Sequence, residues 1–212
     1  MDTIDKDGGF TITSPEGLDA IYAKPADRVV DKETDYVTEP GRAFIAASPF
    51  LILSTASPAG IDCSPKGDAP GFVQLLDERT VLIPDRPGNN RIDGMKNILA
   101  NPKVGIIFMV PGANETYRVN GSARISVDPA LLSRFEVRGK QPRVVIVVSV
   151  EQAFSHCPKA FVRAKLWGAA ADGRPESVPT LGQFAAFRDG GDTTYAAKYD
   201  TEYAKRMPDE LY

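Results

Sequence analysis

Residues 63–91 read CSPKGDAPGFVQLLDERTVLIPDRPGNNR, and the fold turns on how this stretch divides. Its two apolar runs, GFVQLL (71–76) and TVLIP (80–84), have strand composition and pair around Asp77–Glu78 as a hairpin. A cluster of Pro, Gly, Lys and Asp precedes the hairpin, and a loop rich in Arg and Asn follows it. In an antiparallel pair the start of the first strand lies beside the end of the second. Ser64 and Lys66 are therefore expected to meet Arg86, Asn89, Asn90 and Arg91 at one edge. Arg91 is expected to open a helix, whose N-terminus favours an anion. Charge-assisted donors converging from several directions are what a phosphate monoester requires. Taken singly, GDAPG is an ordinary turn and DRPGNN an ordinary loop. Their convergence on one end of a hairpin is what points to a ligand.

Working outward, Ser14 caps a short helix that starts at Pro15 and runs to about Ala23. GRAFIAAS (41–48) reads as a second short helix, ending at Pro49. FLILSTA (50–56) is a strand, SPAG (57–60) a turn, and IDCS (61–64) a short strand segment. RIDGMKNILANP (91–102) places Ile92, Met95, Ile98 and Leu99 at helical spacing and stops at Asn101–Pro102. KVGIIFMVPG (103–112) reads as a buried strand and ETYRVNGSARISV (115–127) as a long, half-exposed one. DPALLSRFEV (128–137) is a capped helix, and RVVIVVSVEQAF (143–154) is the sixth strand. CPKAFVRAKLW (157–167) looks helical. The tail from Gly168 is rich in Gly and Pro up to Leu181 and closes with a polar helix over TYAAKYDTEYAKRM (194–207). Strands broken by short helices, with hairpin-length links, imply a mainly β protein, a six-stranded antiparallel barrel rather than a parallel sheet.

Composition narrows the function. The 212 residues are 42% apolar and 25% charged, with a net charge of −3. No whole-chain basic field exists to grip nucleic acid or an anionic membrane, so an anion site must be local. No apolar run approaches the roughly 18 residues of a membrane helix. MDTIDKDGGF at the start has neither the basic flank nor the apolar run of a signal peptide, and the expected location is the cytoplasm. Cys63 and Cys157 make no disulfide framework and are read as reduced thiols. One histidine, His156, and two separated cysteines exclude a transition-metal site. His156 next to Cys157 reads as ordinary structure rather than a nucleophile pair, because adjacent residues rarely orient a base onto a thiol. No GxxxxGK[ST], GxGxxG or GxSxG pattern is present. Asp62, Asp68 and Asp85 near the hairpin read as turn formers. Lys159, Arg163 and Lys165 make a second basic group, with Lys159 and Arg163 sharing a helix face. Trp167, the only tryptophan, reads equally as core or as an aromatic wall for a planar ligand.

The stretches SPFLILST, SPKGDAPGFV, LLDERTVLIPDRPGNNRIDGMKNILANPKVGIIFMVPG, ETYRVNGSARI and HCPKAFVRAKLW together resemble the flavin-binding split-barrel proteins of the pyridoxamine-phosphate oxidase-like superfamily. Within it, the PDRPGNNR and HCPKA stretches resemble an FMN-dependent branch. The resemblance implies an FMN-binding six-stranded split barrel over residues 40–168. It implies a homodimer with two FMN molecules in clefts between the subunits. An N-terminal arm (1–39) and a C-terminal extension (169–212) flank that domain, the extension packing on its own domain or on the partner. The family's phosphate ligands match Lys66 and Arg91 most directly, with Ser64, Arg86 and Asn90 in support. The main chain near Gly67, Ile83 and Pro84 would follow the flavin ring, and Arg118, Arg163 and Trp167 would reach the partner's cofactor. NNRIDG stands where true pyridoxamine-phosphate oxidases have Arg-Lys-Gly at the helix start, and their C-terminal Arg-x-His is not evident. The resemblance therefore carries the cofactor and not the vitamin-salvage substrate. The expectation is an FMN-dependent oxidoreductase, with NAD(P)H as a candidate electron donor and no catalytic side chain assigned. A non-catalytic flavin or haem carrier or sensor of the same fold is the alternative, and a structural dimer with a vestigial cleft is the third reading.

Overall fold

A computed structural model describes residues 10–168 and 177–211. Contacts divide the chain into two units, residues 1–33 and 34–212. The first holds two short helices, α1 (Pro15–Asp19) and α2 (Asp27–Val30). The amide of Gly17 donates to Ser14 Oγ at 3.2 Å, the cap that the Ser-Pro pair announces.

The second unit is built on one antiparallel sheet. Its strands are β1 (Phe50–Ser57), β2 (Gly60–Gly67), β3 (Gln74–Asp77), β4 (Thr80–Pro84), β5 (Lys103–Met109), β6 (Thr116–Ser126) and β7 (Val145–His156). They run in the order β2-β1-β5-β6-β7-β4-β3. The strands number seven, not six. The run read as a short IDCS segment extends from Gly60 to Gly67 and pairs with β1 along its whole length. Conversely, GFVQLL begins to pair only at Gln74, because the turn through Pro70 and Gly71 (φ +87) reaches that far. Phe72 and Val73 are buried without joining the ladder.

The helices of this unit are α3 (Glu39–Ala47), α4 (Asp93–Ala100), α5 (Pro129–Leu132), α6 (Lys159–Ala164), α7 (Leu181–Asp189) and α8 (Thr193–Glu210). One face of the sheet carries the main core: Leu51 and Leu53 of β1, Val104, Ile106 and Phe108 of β5, Val119 of β6, and Ile146 and Val148 of β7. Ile45 of α3 and Ile98 of α4 pack against them. A second cluster covers the other side of β4 and β7, where Leu82, Val145 and Val147 meet Phe135, with Leu131 and Leu132 of α5 alongside. Burial on both faces explains why TVLIP and VVIVV are unbroken apolar runs instead of alternating ones. Between Asn120 and Gly121 the β6–β7 register shifts, giving a bulge at Glu151. A Cβ on Gly121 would collide with the carbonyl of Ser149, so only glycine lets β6 pass so close.

α7 and α8 pack on each other through Gly182, Ala185, Ala186 and Ala196. α7 lies between the Gly/Pro-rich tail and the polar C-terminal helix, where the sequence reading assigns no element. Thr180 and Gln183 form a capping box at its start and Gly190 (φ +69) ends it. Among the described residues no helix is long and apolar enough to cross a membrane.

Candidate functional site

Alternation along β2 builds the site. Asp62, Ser64 and Lys66 point to the core side of the sheet, opposite their β1 partners Thr55, Leu53 and Leu51. They line a recess of about 50 Å³ together with Leu53, Asp85, Arg91, Ile92, Gly94, Met95 and Ile146. Lys66 and Arg91 thus share one recess, as the sequence predicts, with Ser64 between them. They do not meet as two arms of one hairpin, because Ser64 and Lys66 belong to β2. β2 and β4 stand first and sixth in the sheet order. Lys66 Nζ nevertheless donates to Asp85 Oδ1 at 3.0 Å, so the curl of the sheet brings the two strand ends together.

Arg91 precedes α4 instead of opening it. The helix begins at Asp93, and its N-cap, Ile92, offers no side chain to the first-turn amides. Gly94 of that first turn lines the recess, where an added Cβ would lie 2.7 Å from Asp62 Oδ2. α4 is fixed on β1 by Asn97, which is buried. Its amide nitrogen donates to Thr55 Oγ1 at 3.2 Å and its carbonyl accepts from Ser57 Oγ at 2.6 Å. Arg91 Nε donates to Asp93 Oδ2 at 2.6 Å. That hydrogen bond, and then Asp93's charge, hold the Arg91 guanidinium above its ordinary range, and the charge of Asp62 adds to the effect. The same hydrogen bond holds the Asp93 carboxyl below the usual carboxylate range.

Of the acids read as turn formers, Asp85 and Asp68 partner cations and Asp62 partners a hydroxyl. Ser64 Oγ donates to Asp62 Oδ2 at 2.7 Å, Lys66 binds Asp85, and Arg86 Nε donates to Asp68 Oδ2 at 2.6 Å. The period-2 pattern Asp62, Ser64, Lys66 was the available signal that Asp62 faces the recess. Nothing local in the sequence marks Asp85 as the partner of Lys66.

Arg86 does not reach this recess. It lines a second cleft of about 210 Å³ with Asp68, Phe72, Gln74, Arg134 and Phe135, and its Nη1 donates to the Phe135 carbonyl at 2.7 Å. Asn90 adopts a left-handed conformation (φ 58) and accepts a hydrogen bond from Arg143 at 3.0 Å. Gly67 ends β2 opposite Phe50. Ile83 and Pro84 are fully buried on β4, main chain included, and line neither the recess nor the second cleft described above. Arg118 sits on the face of β6 away from the core, its guanidinium 5.5 Å from the Phe154 ring centre. Arg163 is exposed on α6. Trp167 donates its ring N–H to the Ala113 carbonyl at 2.6 Å and packs against Phe161, so it secures the end of the α6 segment to the β5–β6 loop. None of Arg118, Arg163 and Trp167 lines the recess. Among the described residues, no group of three His, Cys, Asp or Glu is placed to hold a metal. Cys63 and Cys157 are both free and exposed.

The fold and recess define a small antiparallel-sheet protein with cations gathered at the end of a curled sheet. The family model of pyridoxamine 5'-phosphate oxidase matches residues 37–157, more than half of the chain, and the chain belongs to that family. Similar solved structures include HupZ of Group A Streptococcus, 22% identical, with a TM-score of 0.46, covering 56% of this chain and 93% of that one. General Stress Protein 26 from Bacillus anthracis is 16% identical, with a TM-score of 0.41, covering 53% and 88% respectively. A protein described as the FAD binding protein from Mycobacterium smegmatis is 16% identical, with a TM-score of 0.37, covering 57% and 95%. No curated protein matches the sequence.

Proposed function

We propose that this chain binds FMN, with the cofactor's phosphate at the Ser64–Lys66–Arg91 recess, and acts as an FMN-dependent oxidoreductase. One observation carries the reading: Ser64 and Lys66 of β2 and Arg91 from the segment before α4 line one recess, at the start of a helix whose N-cap side chain makes no capping hydrogen bond. The donor set suits a phosphate monoester. Lys66 supplies an ammonium, Arg91 keeps both Nη groups beyond its bond to Asp93, and the Ser64 hydroxyl can turn from Asp62 to the ligand. When bound, FMN supplies the electron chemistry. Lys66 and Arg91 orient it by its phosphate, and Asn97 holds α4 against β1. Arg86 keeps a structural role, bound to Asp68 and Phe135. Residues 40–168 form the cofactor-binding domain, a split barrel closed at the Lys66–Asp85 contact.

The reading includes a homodimer, with Arg118, Arg163 and Trp167 serving the neighbouring subunit's cofactor. An apolar sheet face supports it. Ile52, Pro65, Ile107 and Met109 lie on the side of β1, β2 and β5 away from the core, beside Ile61, which is 84% exposed. Sedimentation showing a monomer at working concentration removes the shared cleft.

The visible spectrum of the purified protein and an FMN titration test the proposal. Saturable binding is expected, weakened by Lys66→Ala and less by Arg91→Ala. A colourless protein that fails to saturate with FMN ends the reading. FMN binding without oxidation of reduced nicotinamide across a broad substrate panel favours a carrier, and a haem spectrum favours a haem carrier.

A further inference from the structure

We propose that Asp85 is an internal competitor for the ligand's phosphate, a tethered carboxylate that holds Lys66 until a dianion displaces it and so determines which anions the recess accepts. This rests on the phosphate reading above. Lys66 is the inner cation of the recess: its side chain is 19% exposed, against 79% for Arg91. Its ammonium is engaged by Asp85 at 3.0 Å. The lining holds two cations, Lys66 and Arg91, and two carboxylates, Asp62 and Asp85, so an incoming anion meets no net formal charge. Binding there is an exchange of partners.

The exchange discriminates. Asp85 is held beside Lys66 by the chain, at an effective concentration in the millimolar range or above by analogy with short tethers. A free carboxylate or other monoanion offers Lys66 nothing that Asp85 does not already supply. A phosphate monoester brings almost a second charge and three acceptor oxygens, and Arg91, Ser64 and the α4 amides stand where it can use them. Asp62 gives up the Ser64 hydroxyl, which lies 2.7 Å from its Oδ2, and stays beside Arg91. The neighbouring pair, Asp68–Arg86, joins the same two chain segments from the other side and keeps them together while Lys66 changes partner.

FMN affinity, read by quenching of flavin fluorescence, tests this with the full chain and with Asp85→Asn, Lys66→Met and the double variant. Asp85→Asn is expected to tighten FMN about tenfold, the equivalent of one displaced ionic partner, and to leave riboflavin, which lacks the phosphate, unchanged. In the Lys66→Met background the same change is expected to do nothing. Acetate is expected to compete with FMN in Asp85→Asn and not in the wild type. Asp85→Ser is a second variant that must give the same tightening, and circular dichroism checks that each variant is folded. FMN affinity that stays level or falls in folded Asp85→Asn, or riboflavin that tightens equally, overturns the role of Asp85 while the phosphate reading stands. If the wild type and every variant fail to bind FMN, both fall.

Discussion

Two ion pairs join the end of β2 to the segment after β4, and they differ in kind. Asp68–Arg86 is the more enclosed, with side chains 5% and 15% exposed, and Arg86 adds a hydrogen bond to the Phe135 carbonyl. Lys66–Asp85 is somewhat more open, a single contact facing a recess that also holds Arg91 and Ser64. The charges are reversed between the two: lysine on β2 meets aspartate after β4, and aspartate beyond β2 meets arginine. Adjacent residues, Asp85 and Arg86, therefore serve opposite clefts. An enclosed pair held by further hydrogen bonds behaves as structure, whereas a pair facing an open recess is free to change partner.

The strongest way to break this comparison is Asp68→Ala. It leaves the enclosed Arg86 guanidinium without its carboxylate, and the expected loss is about 3 kcal/mol. For a chain of this size that is a fall in Tm of about 6–12 °C, measured by thermal denaturation. Asp85→Asn is expected to lower stability by about 1 kcal/mol or less. Equal losses in the two variants would erase the distinction.

Asn97→Leu sharpens it next. Both side-chain hydrogen bonds of this buried amide go to β1 hydroxyls, and removing it takes the amide partner from buried Thr55 and leaves Ser57 with the Ala59 amide alone, at a loss of about 2 kcal/mol in urea denaturation. FMN affinity is expected to fall with it, because α4 carries the recess edge. Stability lost with affinity intact would show that α4 does not position the ligand.

Tyr117→Phe is smaller and of opposite sign. The Tyr117 hydroxyl is buried against Gly41 of α3 and has no hydrogen-bond partner among the described residues, so removing it is expected to stabilise by about 0.5–1 kcal/mol. A loss of more than about 1 kcal/mol would reveal a bridging water.

Acidification gives the smallest effect. The carboxyls of Asp35, Asp93 and Glu151 are lowered chiefly by hydrogen bonds from Arg79, Arg91 and Lys103. A carboxyl lowered in the folded state stabilises fully above its unfolded value of about 4, and that contribution disappears as the pH falls through the folded value. All three groups are solvent-exposed, so Tm is expected to hold steady between pH 7 and 5.5 and to decline only in stronger acid. A rise in Tm below pH 4 would contradict the assignment.

Much of the fold was legible because its signals are local. Caps at Ser14 and Asp128, the SPAG turn, and apolar runs in β1, β4, β5 and β7 each declare themselves within a few residues. β2 was underestimated because Pro65, Lys66 and Gly67 lack strand propensity; pairing with β1 imposes the strand. α7 was missed beside the Gly/Pro-rich tail, and its single glycine, Gly182, is there to pass close to the Ala196 carbonyl of α8. In the site, the meeting of Lys66 and Arg91 was predicted on the wrong route, since it depends on the curl of the whole sheet. Arg86 and Asp85 were inseparable in sequence, and only the direction of each side chain assigns them to different clefts. The acids were missed as partners because ion pairing between the first and sixth strands of a sheet leaves no trace in spacing.

The Trp167 anchor has a practical consequence. With one indole in the whole chain, its N–H tied to the Ala113 carbonyl, intrinsic emission comes from a single joint between the loop at 110–115 and the segment leading to the C-terminal helices. A red shift under mild denaturant, earlier than the loss of sheet signal, would date the release of that joint without any added label.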